Sequence, residues 1–233
     1  MVKAKQYRLF NHLWDKEDGL LSMLVLLFIM HFLFIPLFGS YSFLKLAMQI
    51  FWVLFLLSGI FALETTKKQA KLISIIPVLF VVVGWISLFN TSNFIVVADF
   101  ILSIAALLLL IILVLIKVFE PGPVTIFRVV GSVVVYMLMA NLWSIIYLYI
   151  FQDIEGAFQI TLPPFERNSL EANFLYFSYI TITTTGYGEI LPLHPIARSM
   201  VQMEAIFGVL YPVILIGRLV SDSNTPDLRK NKT

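Results

Sequence analysis

Residues 181–189 read T-I-T-T-T-G-Y-G-E and carry the most specific chemistry in this chain. Gly186 and Gly188 flank one tyrosine and remove the steric cost of unusual backbone angles at two positions. A strand built this way can turn its carbonyls toward an axis instead of into a sheet. Thr184, Thr185, Gly186 and Tyr187 then offer successive carbonyl oxygens, and the Thr184 hydroxyl adds a further ligand. Oxygen rings stacked from several copies can replace the water shell of a dehydrated cation. A plain turn between two helices is the simpler reading. It leaves unexplained why an aromatic, helix-forming run (Tyr176, Phe177, Tyr179) stops at two glycines.

From Ser178 to Gly188 the sequence resembles the pore-helix-and-filter pattern of tetrameric potassium channels, with Thr185 where valine is usual. The likeness runs on through Pro192 and Arg198 to Gly208, at the family's inner-helix glycine, and covers residues 122–221. The resemblance implies a homotetramer in which each chain gives one filter strand, residues 184–188, and in which K⁺ is held by Thr184, Thr185, Gly186 and Tyr187. Thr184 would form the innermost ring, and the Tyr187 ring would pack behind the strand. No cofactor besides K⁺ is implied. Gly208 falls at the family's hinge, or else packs closely against the preceding span. Pro212 should add a second bend, with Leu215, Ile216 and Leu219 as candidate gate residues.

The support of the strand departs from the family. Thr185 adds a hydroxyl, and Glu189 is one methylene longer than the usual aspartate. Phe177 stands where the family carries an aromatic donor to that acid, so the usual outer bond is expected to be missing. Glu204 lies two turns into the last span, where an unpaired carboxylate is expensive. It is expected to brace the pore helix, through Thr181 or Tyr179, and to be protonated; an exposed acid at headgroup level is the alternative.

These residues need a membrane scaffold, and composition provides one. Of 233 residues 60% are hydrophobic and 13% charged, and that charged share is about half the soluble norm. Cysteine is absent, which excludes disulfides and thiolate metal sites. His12, His31 and His194 are scattered, no catalytic constellation converges, and an enzyme is not expected. A formal charge of +2 gives no sign of a nucleic-acid partner; lipid is the expected surrounding.

Six apolar runs are each near the roughly 20 residues a spanning helix needs: 20–38, 43–63, 72–89, 94–118, 124–151 and 195–220. Residues 171–184 are too short to cross and fit a re-entrant helix. The expected fold class is therefore all-α, six transmembrane helices with a re-entrant pore helix and filter, assembled as a tetramer. Its parts are a cytoplasmic or interfacial segment (1–19), a four-helix peripheral unit (20–119), a pore unit (120–221) and a cytoplasmic tail (222–233). With both termini inside, thirteen of the sixteen Lys and Arg fall on the cytoplasmic side and three (Lys45, Arg167, Arg198) on the other. The resemblance implies a prokaryotic plasma membrane as the setting. From Ile101 to Ile116 the fourth span has no Arg or Lys, so steep voltage dependence is not expected. Besides a K⁺ channel, the sequence admits a weakly selective cation channel or a potassium transporter subunit.

Overall fold

Leucine and alanine lose little side-chain freedom in a helix, and an apolar run that forms one satisfies its backbone groups internally, which is what a bilayer requires. The longest such runs form the longest helices. In the computed structural model, which describes residues 18–35, 50–52, 55, 75–87, 89, 92–120, 124–161 and 170–223, these are α3 (Asn93–Val118), α4 (Ile126–Asp153) and α6 (Pro195–Ser223). Two shorter helices, α1 (Asp18–Phe28) and α2 (Ile75–Ser87), precede them. A π-helical stretch, Ile29–Phe34, continues α1. Between α4 and α6 come β1 (Phe158–Ile160), α5 (Leu170–Ile182) and β2 (Ile190–Pro192).

The expected fold class is corrected in its count of spans. Among the described residues three helices are long and apolar enough to cross a membrane: Asn93–Val118, Ile126–Asp153 and Pro195–Ser221. The apolar helices Leu20–Phe34 and Ile75–Ser87 fall short of that length. At 1.5 Å per residue the described part of the second covers about 20 Å of a hydrocarbon core about 30 Å thick, and residues 72–74 and 88 beside it lie outside the described residues. The all-α architecture carries one small two-stranded sheet, in which β1 and β2 pair antiparallel with Phe158 opposite Pro192 and Ile160 opposite Ile190. The structure is that of a single chain, and residues 183–188 are exposed on it. The segment 1–17, most of the second expected span, the basic stretch 64–71 and the tail from 224 lie outside the described residues.

α4 is the central helix. Its first half (Val134, Val135, Met137, Leu138) packs with α1 and α3, and its second half (Trp143, Tyr147, Ile150) packs with α5 and the strand pair. Gly131 permits the first contact: a Cβ there would lie 3.0 Å from Val118 and 3.2 Å from Leu20. Arg128 is buried and donates from Nε to the Val118 carbonyl at 2.7 Å. It thereby satisfies one orphan acceptor at the α3 C-terminus, where a cation also suits the helix dipole. Asn141 lies buried in mid-helix, and its polar neighbour is His31 of the π-helical stretch (Nε2 to Oδ1, 3.1 Å). The other ring nitrogen of His31 meets the Leu27 carbonyl at 2.8 Å. The first helix is thus joined to α4 by a polar contact as well as by packing.

Candidate functional site

The site is the end of α5 and the six residues after it. The strand's donors turn back on the helix. Thr183 N–H bonds to Tyr179 O (3.1 Å), Thr184 N–H to Thr181 O (2.9 Å), and both Thr185 N–H and Gly186 N–H to Ile180 O (2.8 and 3.0 Å). The carbonyls of residues 184–188 accept no hydrogen bond among the described residues. Backbone angles alternate in hand: φ is +59° at Thr184, +55° at Gly186 and +98° at Gly188. Glycine adopts such angles freely. For a β-branched threonine the same region is an outlier that costs about 1–3 kcal/mol and persists only where the surroundings hold it. Every residue from Thr183 to Gly188 is exposed in the single chain, including Tyr187 at 70%. Side chains add one link within the strand, Thr183 Oγ1 to Thr185 Oγ1 at 3.0 Å.

Three elements hold the helix end that carries this strand. Tyr136 on α4 donates its hydroxyl to the Ile182 carbonyl at 2.7 Å. Gly208 on α6 lies so close that a Cβ would sit 2.2 Å from the same oxygen. Its tight packing is therefore against α5, not against the preceding span. Glu204, four residues earlier and fully buried, receives the Tyr147 hydroxyl on Oε2 at 2.5 Å and meets the Ser178 hydroxyl with Oε1. Ser178 Oγ also reaches the Ala140 carbonyl at 2.8 Å.

Glu204 thus meets α5 through Ser178, and the partners expected for it are placed elsewhere. Thr181 returns its hydroxyl to its own helix at Phe177 O (2.8 Å). The Tyr179 ring turns outward onto His31 and Phe32, with centroids 5.7 and 5.9 Å away. A second correction concerns the outer end. Phe177 is buried among Tyr147 and Phe158, but the adjacent Tyr176 donates to Glu189 Oε1 at 2.9 Å. The Glu189 carbonyl is fixed as well, accepting from Thr161 N–H (2.8 Å) and Thr161 Oγ1 (2.9 Å) in continuation of the strand pair. The acid therefore has an aromatic donor, one residue earlier than expected.

The candidate gate residues are not brought together. Leu215 is buried in the α1–α3–α4 core with Leu219 packed against it, whereas Ile216 on the same helix is exposed. Pro212 lies inside α6, which continues through it. Beside it Tyr211 donates to Ser132 O at 2.9 Å and stacks on Tyr136.

Tyr136, Tyr147, Ser178 and Tyr176 escaped the sequence reading. For α4 a signal was present: positions 136, 143 and 147 recur at helical spacing and put three large aromatics on one face. Among the described residues no cluster of three or more His, Cys, Asp or Glu side chains that could hold a metal ion occurs.

Residues 124–222 match a protein-family model described as an ion channel, a stretch of less than half of the 233 residues. No curated protein and no solved structure matches the chain. The matched stretch takes in α4, the strand pair, α5, the exposed strand and most of α6. The chain is a membrane protein, and an ion-channel-type domain, a transport module and not a catalytic one, occupies its residues 124–222.

Proposed function

We propose that this chain is a subunit of a potassium-selective channel that passes dehydrated K⁺ down its electrochemical gradient along the carbonyls of residues 184–188. One observation carries the reading. The amides of residues 183–186 are tied to α5 while the carbonyls of residues 184–188 are left free among the described residues, on a backbone whose hand alternates at Thr184, Gly186 and Gly188. Unpaired carbonyls are costly in an apolar interior unless something electropositive meets them. A cation between facing strands is such a partner. The C-terminus of α5 adds partial negative charge at the same end, which favours a cation there.

One strand cannot surround an ion, so self-association belongs to the proposal, with a homotetramer as the assembly and Thr184, Thr185, Gly186 and Tyr187 as the K⁺ ligands. The outward side of α6, with Ile206, Val209, Val213 and Ile216 exposed, offers an apolar face for lipid and for neighbouring copies. Arg128 at the start of α4 and Arg218 near the end of α6 support placing those two ends on the cytoplasmic side. Along α3, charge is confined to Asp99 and Lys117 near its two ends, which supports conduction without steep voltage dependence. A weakly selective cation pore is the second reading, favoured by the hydroxyl that Thr185 puts beside the strand.

The test is cation flux into vesicles containing the purified protein, with K⁺ or Na⁺ as the only permeant cation. K⁺ entry that far exceeds Na⁺ entry is the expected result. Equal entry supports the weakly selective pore, and no entry of either ion removes both readings.

A further inference from the structure

Behind the strand, three side chains from three helices form one continuous polar chain. Tyr147 OH touches Glu204 Oε2, Glu204 Oε1 touches Ser178 Oγ, and Ser178 Oγ touches the carbonyl of Ala140. Each of the three contacts needs a proton between its two oxygens. The tyrosine and serine hydroxyls bring one each. The carbonyl brings none, so the third proton must come from the carboxyl group. With the acid ionised, Ser178 has a single proton for two acceptors, and either Ala140 O or Glu204 Oε1 faces a bare oxygen. No Lys, Arg or His pairs with Glu204 among the described residues, and its side chain is 0% exposed. Burying an unpaired carboxylate that way is far more costly than burying a hydrogen-bonded acid.

We infer that Glu204 is a neutral carboxylic acid which donates to Ser178, so that the order of donation is Tyr147 to Glu204 and Glu204 to Ser178 to Ala140. In this role it is a positioning residue. It fixes α5 against α4 and α6 one turn before the strand begins, and does so as a donor. The inference deepens the channel reading and rests on it for its functional consequence.

Two measurements on the full chain in lipid test it. The first is the infrared difference spectrum of the wild type against Glu204→Gln. A carbonyl band of a protonated carboxyl group, shifted in D₂O, is expected in the wild type only. Carboxylate bands in its place would overturn the inference whether or not the protein conducts. The second is K⁺ flux. Glu204→Gln keeps an acceptor for Tyr147 and an N–H donor for Ser178, so its flux should equal the wild type. Glu204→Leu and Ser178→Ala should each lose roughly tenfold, the scale of one unsatisfied buried group. A glutamine variant as impaired as the leucine variant would contradict the donor role. Wild-type vesicles that pass no K⁺ would instead count against the channel reading and leave the infrared band to decide the proton.

Discussion

Gly208→Ala offers the sharpest perturbation of this site, because the structure fixes both what the new methyl meets and what resists it. The added Cβ would lie 2.2 Å from Ile182 O, 2.9 Å from Ile182 C and 2.9 Å from Ile182 Cγ1. Carbon atoms are comfortable at about 3.5–4.0 Å, so α5 and α6 must separate by more than about 1 Å. The carbonyl cannot swing aside freely, since Tyr136 holds it at 2.7 Å. Overpacking of this kind costs about 1–3 kcal/mol, and loss of the Tyr136 bond adds about 1 kcal/mol. A total of about 2–4 kcal/mol is a factor of roughly 30 to 1,000 in any equilibrium that opens the helix end. The amides of residues 183–186 report that opening directly, because all four are bonded to carbonyls of α5. Hydrogen exchange followed by mass spectrometry on lipid-embedded protein should show them exchanging faster by that factor. Gly217→Ala is the control: a Cβ at Gly217 meets nothing within 4 Å, and no change is expected. Wild-type exchange in Gly208→Ala would refute the packing role, and altered gating on top of it would return Gly208 to the hinge suggested by resemblance.

Three further outcomes follow from particular contacts. Tyr176→Phe takes the donor from Glu189, whose other carboxylate oxygen is already buried without a partner; thermal stability in detergent should fall by about 1–3 kcal/mol, and adding Phe177→Tyr should not restore it. Asn141→Leu breaks the contact to His31 and should loosen α1 from α4 by about 0.6–2 kcal/mol, read as faster exchange in the 27–35 stretch with residues 183–186 unchanged. Arg128→Met leaves the Val118 carbonyl without its guanidinium and should lower the melting temperature, by the equivalent of about 1–2 kcal/mol.

What could be read from the sequence divides along physical lines. The strand at 184–188 was legible because its chemistry is local: two glycines, one tyrosine and the threonines before them state which backbone angles are available. Glu204 was legible as an anomaly, since a carboxylate at that depth demands a partner. The identity of the partner was not, because Tyr147 is 57 residues away in the chain and only the packing of α4 on α6 brings them together. The outer bond to Glu189 failed for a geometric reason. Neighbouring residues on a helix point about 100° apart, so assigning the donor to position 177 and not 176 put it on the buried face, where Phe177 fills an aromatic core. Span counting failed differently. Among the described residues three helices reach spanning length, while most of the second expected span and the residues beside Ile75–Ser87 lie outside the described residues. The strand pair was invisible as well, since three-residue strands such as Phe158–Ile160 and Ile190–Pro192 are too short to show alternation.

The central claim is that carbonyls of residues 184–188 select K⁺ while it is dehydrated. It is tested most directly by the reversal potential of purified protein in a planar bilayer, with K⁺ and Na⁺ gradients imposed separately. The account predicts a reversal potential that moves by about 59 mV for each tenfold change in the K⁺ ratio and barely responds to the Na⁺ ratio. A reversal potential that follows both ions equally, or ignores the K⁺ gradient, would contradict it.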